Sequence, residues 1–156
     1  MRGTVHRLGS LRRTEHAGPV FAFWTVVKLP IVVLVAEDDV IVRNLINLVL
    51  TRSGYLVLLA SDGEQALELS RKYSGEIDLL LSDVKMPRMD GVTLAAILRT
   101  ERPSTRALLI SGKMSSEIAE ANAPFDFLRK PFVPAQLKTK LDEILEKRAG
   151  GPVEEI

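Results

Sequence analysis

The chain contains no cysteine, which excludes disulfides, thiolate metal sites and a cysteine nucleophile. A reducing cytosol is compatible with that absence, and a cytoplasmic location is expected. Excess charge of one sign is missing too. Lys+Arg number 21 against 20 Asp+Glu, a formal net charge of +1, so no strong global pull toward nucleic acid is implied. Internal repeats and low-complexity stretches are lacking. So is an uninterrupted apolar run of membrane-spanning length. The apolar stretch from Val20 to Ala36 is broken by Lys28 and Pro30 and is too short to span. Basic residues precede it, as in a signal peptide, but cleavage after it would remove Ile31–Ala36, which reads as the first strand. Arg12-Arg13 lacks the apolar context of a twin-arginine signal.

What remains is a chain of 156 residues, 46% of them hydrophobic, enough for one ordinary domain with a real core. Its balanced charge hides an asymmetry. Residues 1–30 hold Arg2, Arg7, Arg12, Arg13 and Lys28 against Glu15 alone, a net of +4, which leaves −3 for residues 31–156. The patterned sequence lies in the acidic part. Residues 1–29 read as an N-terminal extension, disordered or non-native, 30–148 as the folded domain, and 149–156 as a C-terminal tail.

From residue 31 short apolar runs alternate with amphipathic segments. Ile31–Ala36, Tyr55–Ala60, Ile77–Ser82, Arg106–Ile110 and Phe125–Leu128 read as strands. Val40–Arg52 reads as a helix with Ile41, Leu45, Leu48 and Val49 on its apolar face. Asp62 caps the next helix, with Gln65 three residues on in a capping-box arrangement. Ala66, Leu67, Leu69 and Tyr73 are its buried side, and it stops near Ser74-Gly75. Gly91–Thr100 turns Leu94, Ile97 and Leu98 inward. Met114–Ala121 is a short, weak helix candidate. Pro134 opens a last helix carrying Leu137, Leu141, Ile144 and Leu145. Five strands alternating with five helices imply an α/β fold, a flavodoxin-like doubly wound parallel sheet in the order 2-1-3-4-5. Ligands of such sheets bind beyond the carboxyl ends of the strands.

The residues at those ends carry chemistry. Strand 1 ends in Glu37-Asp38-Asp39, strand 3 in Asp83, strand 4 in Ser111 and strand 5 in Lys130-Pro131. Clustered carboxylates repel one another unless a cation or proton intervenes. With only oxygen ligands the natural cation is Mg²⁺. A carboxylate nucleophile, a metal, a lysine and a hydroxyl are the parts of phosphoryl transfer to an aspartate.

Four segments resemble response-regulator receiver domains of two-component systems. Val33-Leu34-Val35-Ala36-Glu37-Asp38-Asp39, with Arg43 four residues on, is similar to their first acidic motif. Leu81-Ser82-Asp83-Val84-Lys85-Met86-Pro87-Arg88-Met89-Asp90-Gly91 is similar to their phosphoacceptor motif. Leu109-Ile110-Ser111-Gly112 resembles the switch hydroxyl segment, and Phe127-Leu128-Arg129-Lys130-Pro131-Phe132 the lysine loop. The resemblance implies that Asp83 accepts the phosphoryl group. Asp38 and Asp83 would ligate Mg²⁺, Glu37 would do so directly or through water, and Lys85 would contribute its backbone carbonyl. Lys130 would pair with a phosphoryl oxygen, Ser111 would hydrogen-bond the phosphoryl group, and Phe127 would be the aromatic switch. It also implies a cis Lys130-Pro131 bond, whereas sequence alone favours trans.

Plainer roles compete at several positions. Asp39 and Asp90 read as helix caps rather than ligands. Arg43 reads as a helix-surface charge, and Phe127 is equally readable as core. Ser111 alone is uninformative, since serine after a strand often just turns the chain.

The implied partners are a sensor histidine kinase or histidine phosphotransfer protein upstream and a downstream protein. Neither direct nucleic-acid binding nor membrane binding is expected. The chain is expected to be a stand-alone receiver, a monomer or weak phosphorylation-dependent dimer, and not an enzyme beyond its own phosphorylation and dephosphorylation. Its output face, the Met114–Ala121 helix candidate with the Phe125–Leu128 strand and the helix opened by Pro134, departs from the common pattern at Ala121-Asn122-Ala123-Pro124. Lys85 is expected to alter the lifetime of the acyl phosphate. A phosphorylation-independent pseudo-receiver would lack at least one of Asp38, Asp83, Ser111 and Lys130. A Mg²⁺-dependent aspartyl phosphatase would carry a second Asp where Lys85 stands. A DNA-binding regulator would need a helix-turn-helix for which no segment is readable.

Overall fold

The computed structural model describes residues 29–112 and 125–149, with side chains to residue 146. The expected extension before Leu29, the helix candidate Met114–Ala121 and the tail beyond Ala149 lie outside the described residues. Elements follow in the order β1 (Val32–Ala36), α1 (Val40–Arg52), β2 (Leu56–Ala60), α2 (Gly63–Lys72), β3 (Leu79–Asp83), α3 (Gly91–Glu101), β4 (Arg106–Ser111), β5 (Asp126–Arg129) and α4 (Pro134–Ala149). All strand pairs are parallel, and the sheet order is β2-β1-β3-β4-β5, as expected.

Strand alternation builds two cores, one on each face of the sheet. Val32, Leu34 and Ala36 of β1, Leu80 of β3 and Leu109 of β4 pack with Ala66 and Leu67 of α2 and Leu94, Ala95 and Leu98 of α3. The intervening Val33, Val35, Leu79, Leu81, Leu108 and Ile110 pack with Ile46 and Leu50 of α1 and Leu137, Leu141 and Ile144 of α4. Burial on both sides explains why the central strands read as unbroken apolar runs. Each buried leucine or isoleucine contributes about 1.5–3 kcal/mol.

The apolar face of α1 is corrected by the structure. Ile41 is 77% exposed, Leu48 47% and Leu45 36%. Of the expected face Val49 does pack on the core, beside Val42 and the buried Ile46 and Leu50. The helix carries two apolar stripes one residue apart, and periodicity alone does not say which faces inward. The start of α1 is fixed by Asp39, whose carboxylate accepts the backbone N–H groups of Ile41 at 2.8 Å and Val42 at 3.1 Å.

The capping box of α2 also differs. Asp62 accepts the Gln65 N–H at 2.8 Å, but the Gln65 side chain accepts the N–H of Ser61 at 2.6 Å rather than that of Asp62. The helix ends at Lys72 with Tyr73 as its cap, slightly before the expected stop. Arg102 closes this end, donating to Ser70 Oγ at 3.0 Å and to the carbonyls of Ser70, Gly75 and Tyr73 at 2.8, 2.8 and 2.6 Å. No helix among the described residues is long and apolar enough to cross a membrane.

Candidate functional site

The sheet register assembles the site. Ala36 of β1 lies opposite Ser82 of β3, so Glu37 and Asp83 leave neighbouring strands at the same level. Alternation places both on the α1–α4 side of the sheet, with Val35 and Leu81. Ile110 of β4 lies opposite Asp83, and Ser111 follows it. Ser111 in turn lies opposite Arg129 of β5, and its carbonyl accepts the Lys130 N–H at 2.8 Å. All four strand-end residues expected at the rim are therefore there.

Glu37, Asp38 and Asp83 each bring one carboxylate oxygen within 4.8 Å of the others. Glu37 is fully buried, Asp83 is 9% exposed, and Asp38 is exposed. The Lys130 ammonium reaches between two of them, 3.1 Å from Glu37 Oε2 and 3.1 Å from Asp83 Oδ2. The second Glu37 oxygen accepts the Asp39 N–H at 3.1 Å. The Lys130-Pro131 bond is cis.

Electrostatics follow from this packing. Burial, and after it the charge of Asp83, pushes the Glu37 carboxyl up to about 7 against the pull of Asp39 and Lys130. Burial opposes the ammonium of Lys130, but hydrogen bonds and charge from Asp83 and Glu37 outweigh it and raise its pKa. One lysine thus leaves the carboxylates under-neutralised. An all-oxygen cluster short of positive charge suits a hard divalent cation.

The structure places the remaining expected residues as follows. Asp39 caps α1, and Asp90 caps α3 by accepting the Thr93 N–H at 2.7 Å. Lys85 is exposed in the loop after β3. Phe127 lies opposite Leu109 and packs, half-buried, against the core on the α2–α3 side. Alternation from Leu109 puts Ser111 on that same side of the sheet.

Three features went unread in the sequence. Arg43 is no simple surface charge, because its guanidinium donates to the carbonyl of Glu37 at 2.9 Å and more weakly to that of Asp38 at 3.4 Å. It ties α1 to the backbone of the acidic pair. Gly91 is required by close approach. A Cβ there would lie 2.9 Å from both the Asp83 carbonyl carbon and Ser82 Oγ, and closer still to the Asp83 carbonyl oxygen. Arg88 has φ +71° and is the one described non-glycine residue with positive φ. Its guanidinium pairs with buried Asp62 at 2.6 Å. Only the glycine at 91 left a trace in the motif; the ion pair spans 26 residues with no local signal.

A doubly wound parallel sheet with an acidic cluster, a lysine and a hydroxyl at its carboxyl rim is the arrangement of a receiver domain. The sequence model of the response regulator receiver domain matches residues 33–142, and the chain belongs to that family. A sensor kinase of Brucella abortus, CckA, is 41% identical over 119 residues, 74% of this chain and 13% of that protein. The response regulator MprA of Mycolicibacterium vanbaalenii is 33% identical over 122 residues, 76% of this chain and 52% of that protein. The chain thus spans about half the length, or less, of these curated relatives. Among solved structures, a response regulator receiver protein from Sinorhizobium medicae superposes with a TM-score of 0.70 at 30% identity, over 76% of this chain and 97% of that one. The chemotaxis response regulator CheY4 of Vibrio cholerae gives a TM-score of 0.66 at 29% identity, over 74% and 99%.

Proposed function

We propose that Asp83 accepts a phosphoryl group from the phosphohistidine of a sensor histidine kinase or histidine phosphotransfer protein, in the cytoplasm. The observation that carries this reading is the Lys130 ammonium 3.1 Å from the carboxylate of Asp83, inside a triad of carboxylates. A bond forms between an Asp83 carboxylate oxygen and phosphorus as the P–N bond to the imidazole breaks. Asp38, Asp83 and Glu37, with the Lys85 backbone carbonyl, are the residues that would hold Mg²⁺. Mg²⁺ held there would supply positive charge to the transferred phosphoryl oxygens. Lys130 adds a second, fixed charge. Glu37 holds Lys130 in place, and Arg43 holds the backbone of Glu37 and Asp38.

The product is an acyl phosphate, which hydrolyses spontaneously. Ser111 would donate to the new phosphoryl oxygens, and its shift would free space for Phe127 on the same side of the sheet. An apolar hollow beside α1 supports a docking surface for the donor. Leu45 and Val42 line an apolar hollow of about 430 Å³ together with Gly112, Lys130, Pro131 and Phe132. The hollow abuts the lysine that touches Asp83, which suits an apolar helix face presenting a phosphohistidine. The test is incubation with Mg²⁺ and a small phosphodonor. An acid-stable, base-labile adduct on the wild type is expected. No adduct, or an equal one on Asp83→Asn, would refute the reading.

A further inference from the structure

The loop from Val84 to Asp90 carries the phosphoacceptor into α3, and its tether lies away from the acidic cluster. The loop is closed at its base, where the Gly91 N–H donates to the Val84 carbonyl at 2.8 Å. Asp90 caps α3 at the loop's end, and Arg88 ties the loop back to α2, its guanidinium donating to Asp62 at 2.6 Å. The carboxylate of Asp62 is 6% exposed. It serves two donors at once, the Gln65 N–H that starts α2 and the Arg88 guanidinium. The neighbouring Gly63 leaves room for the loop, since a Cβ there would lie 2.5 Å from the Met89 carbonyl oxygen and 2.8 Å from the Met89 Cβ. Loop backbone is therefore seated directly on the first turn of α2.

Arg88 holds a left-handed backbone, φ +71°, which an arginine rarely adopts. Such a conformation persists when surrounding contacts over-determine it. Here the contacts are Asp62 on one side and Met89 over Gly63 on the other. A loop bent at Arg88 fixes the path of the three residues before it, among them Lys85.

We infer that Arg88, held by Asp62, is a positioning residue for the metal site, because the ion pair sets the backbone course on which the Lys85 carbonyl is presented. This rests on the proposed Mg²⁺ site at Asp83. It assigns a role to the start of α2, which otherwise takes no part in the chemistry. Asp62 and Arg88 touch neither the phosphoryl group nor the ion; they act through the loop.

Calorimetric titration of the unphosphorylated protein with MgCl₂ tests it without reference to activity. Arg88→Gly removes the guanidinium while accommodating the positive φ. Asp62→Asn keeps a helix-capping oxygen but loses the charge. Each is expected to weaken Mg²⁺ binding about fivefold, and the double variant no further than either single one. Arg88→Lys should restore most of the affinity. Small-phosphodonor kinetics should show a raised Mg²⁺ requirement with the rate at saturating Mg²⁺ little changed. Unchanged Mg²⁺ affinity in both single variants, with Asp38→Ala abolishing it, would overturn the positioning role alone. No Mg²⁺ binding by the wild type would overturn the metal site and this inference together.

Discussion

Gly91→Ala should damage the site without touching any of its charged groups. A Cβ at Gly91 would lie 2.9 Å from the Asp83 carbonyl carbon and 2.9 Å from Ser82 Oγ, with the Asp83 carbonyl oxygen nearer still. Comfortable carbon contacts need about 3.5–4.0 Å. The neighbours cannot yield easily. The Asp83 carbonyl already accepts the Ser82 hydroxyl at 2.9 Å, and Val84 is bonded on both sides, to Gly91 at 2.8 Å and to Ile110 at 2.9 Å. The end of β3 and the start of α3 must therefore part by on the order of 1 Å. Overpacking of this kind costs about 1–3 kcal/mol, and weakening the Gly91 hydrogen bond adds about 1 kcal/mol. Urea denaturation followed by far-ultraviolet circular dichroism should register a loss of about 2–4 kcal/mol. A displacement of that size at a reacting group also slows chemistry by about 100-fold, readable as the rate of adduct formation with a small phosphodonor. Gly112→Ala is the control, since a Cβ there meets nothing within 4 Å, and it should change stability by less than about 0.5 kcal/mol. A Gly91→Ala protein as stable and as reactive as wild type would refute the close-approach reasoning.

Three further outcomes follow from the same contacts. The Glu37 carboxyl, raised from 4.5 to about 7 by burial and then by Asp83, binds its proton more tightly folded than unfolded. In EDTA, stability should fall as pH rises from about 4.5 to about 7 and then level off, by on the order of 3 kcal/mol in all. Glu37→Gln should remove that part of the slope in denaturation curves taken across the window, and an unaltered slope would count against the assignment. Lys130→Met leaves the Glu37 and Asp83 carboxylates without their shared counter-ion. It should lower stability at pH 8 by about 2 kcal/mol in EDTA and regain much of it with Mg²⁺; a variant as stable as wild type in EDTA would argue that the pairing adds nothing. Arg102→Ala strands the acceptors at the end of α2 and should lower the urea midpoint by the equivalent of about 2–3 kcal/mol, while the adduct rate at Asp83 stays within a factor of about two. A slowed adduct would show that the two ends of the sheet are coupled.

The strand ends were legible because buried parallel strands write themselves as apolar runs. Each run here stops at a polar residue that the parallel order must bring to one rim. Glu37, Asp83, Ser111 and Lys130 could therefore be placed before any coordinates. The caps at Asp39, Asp62 and Asp90 were legible for the same local reason. Rotation was not. The stripe Ile41, Leu45, Leu48, Val49 and the stripe Val42, Ile46, Val49, Leu50 fit the same helical period, and only the docked helix distinguishes them. Long-range side-chain ties were hidden as well. Arg43 on the Glu37 carbonyl and Arg88 on Asp62 depend on where backbone and carboxylate meet in space, and charge spacing along the chain does not encode that. Gln65 accepting from Ser61 rather than from the Asp62 N–H shows how a capping signal can be right about the helix start and wrong about the donor.

The central claim is that the phosphoryl group resides on Asp83. Borohydride reduction of the phosphorylated protein, followed by peptide mass mapping, locates an acyl phosphate as a reduced aspartate. The account predicts reduction at Asp83 alone, dependent on Mg²⁺ and absent with EDTA. Reduction at another carboxylate, or a modified Asp83 formed equally well in EDTA, would contradict it.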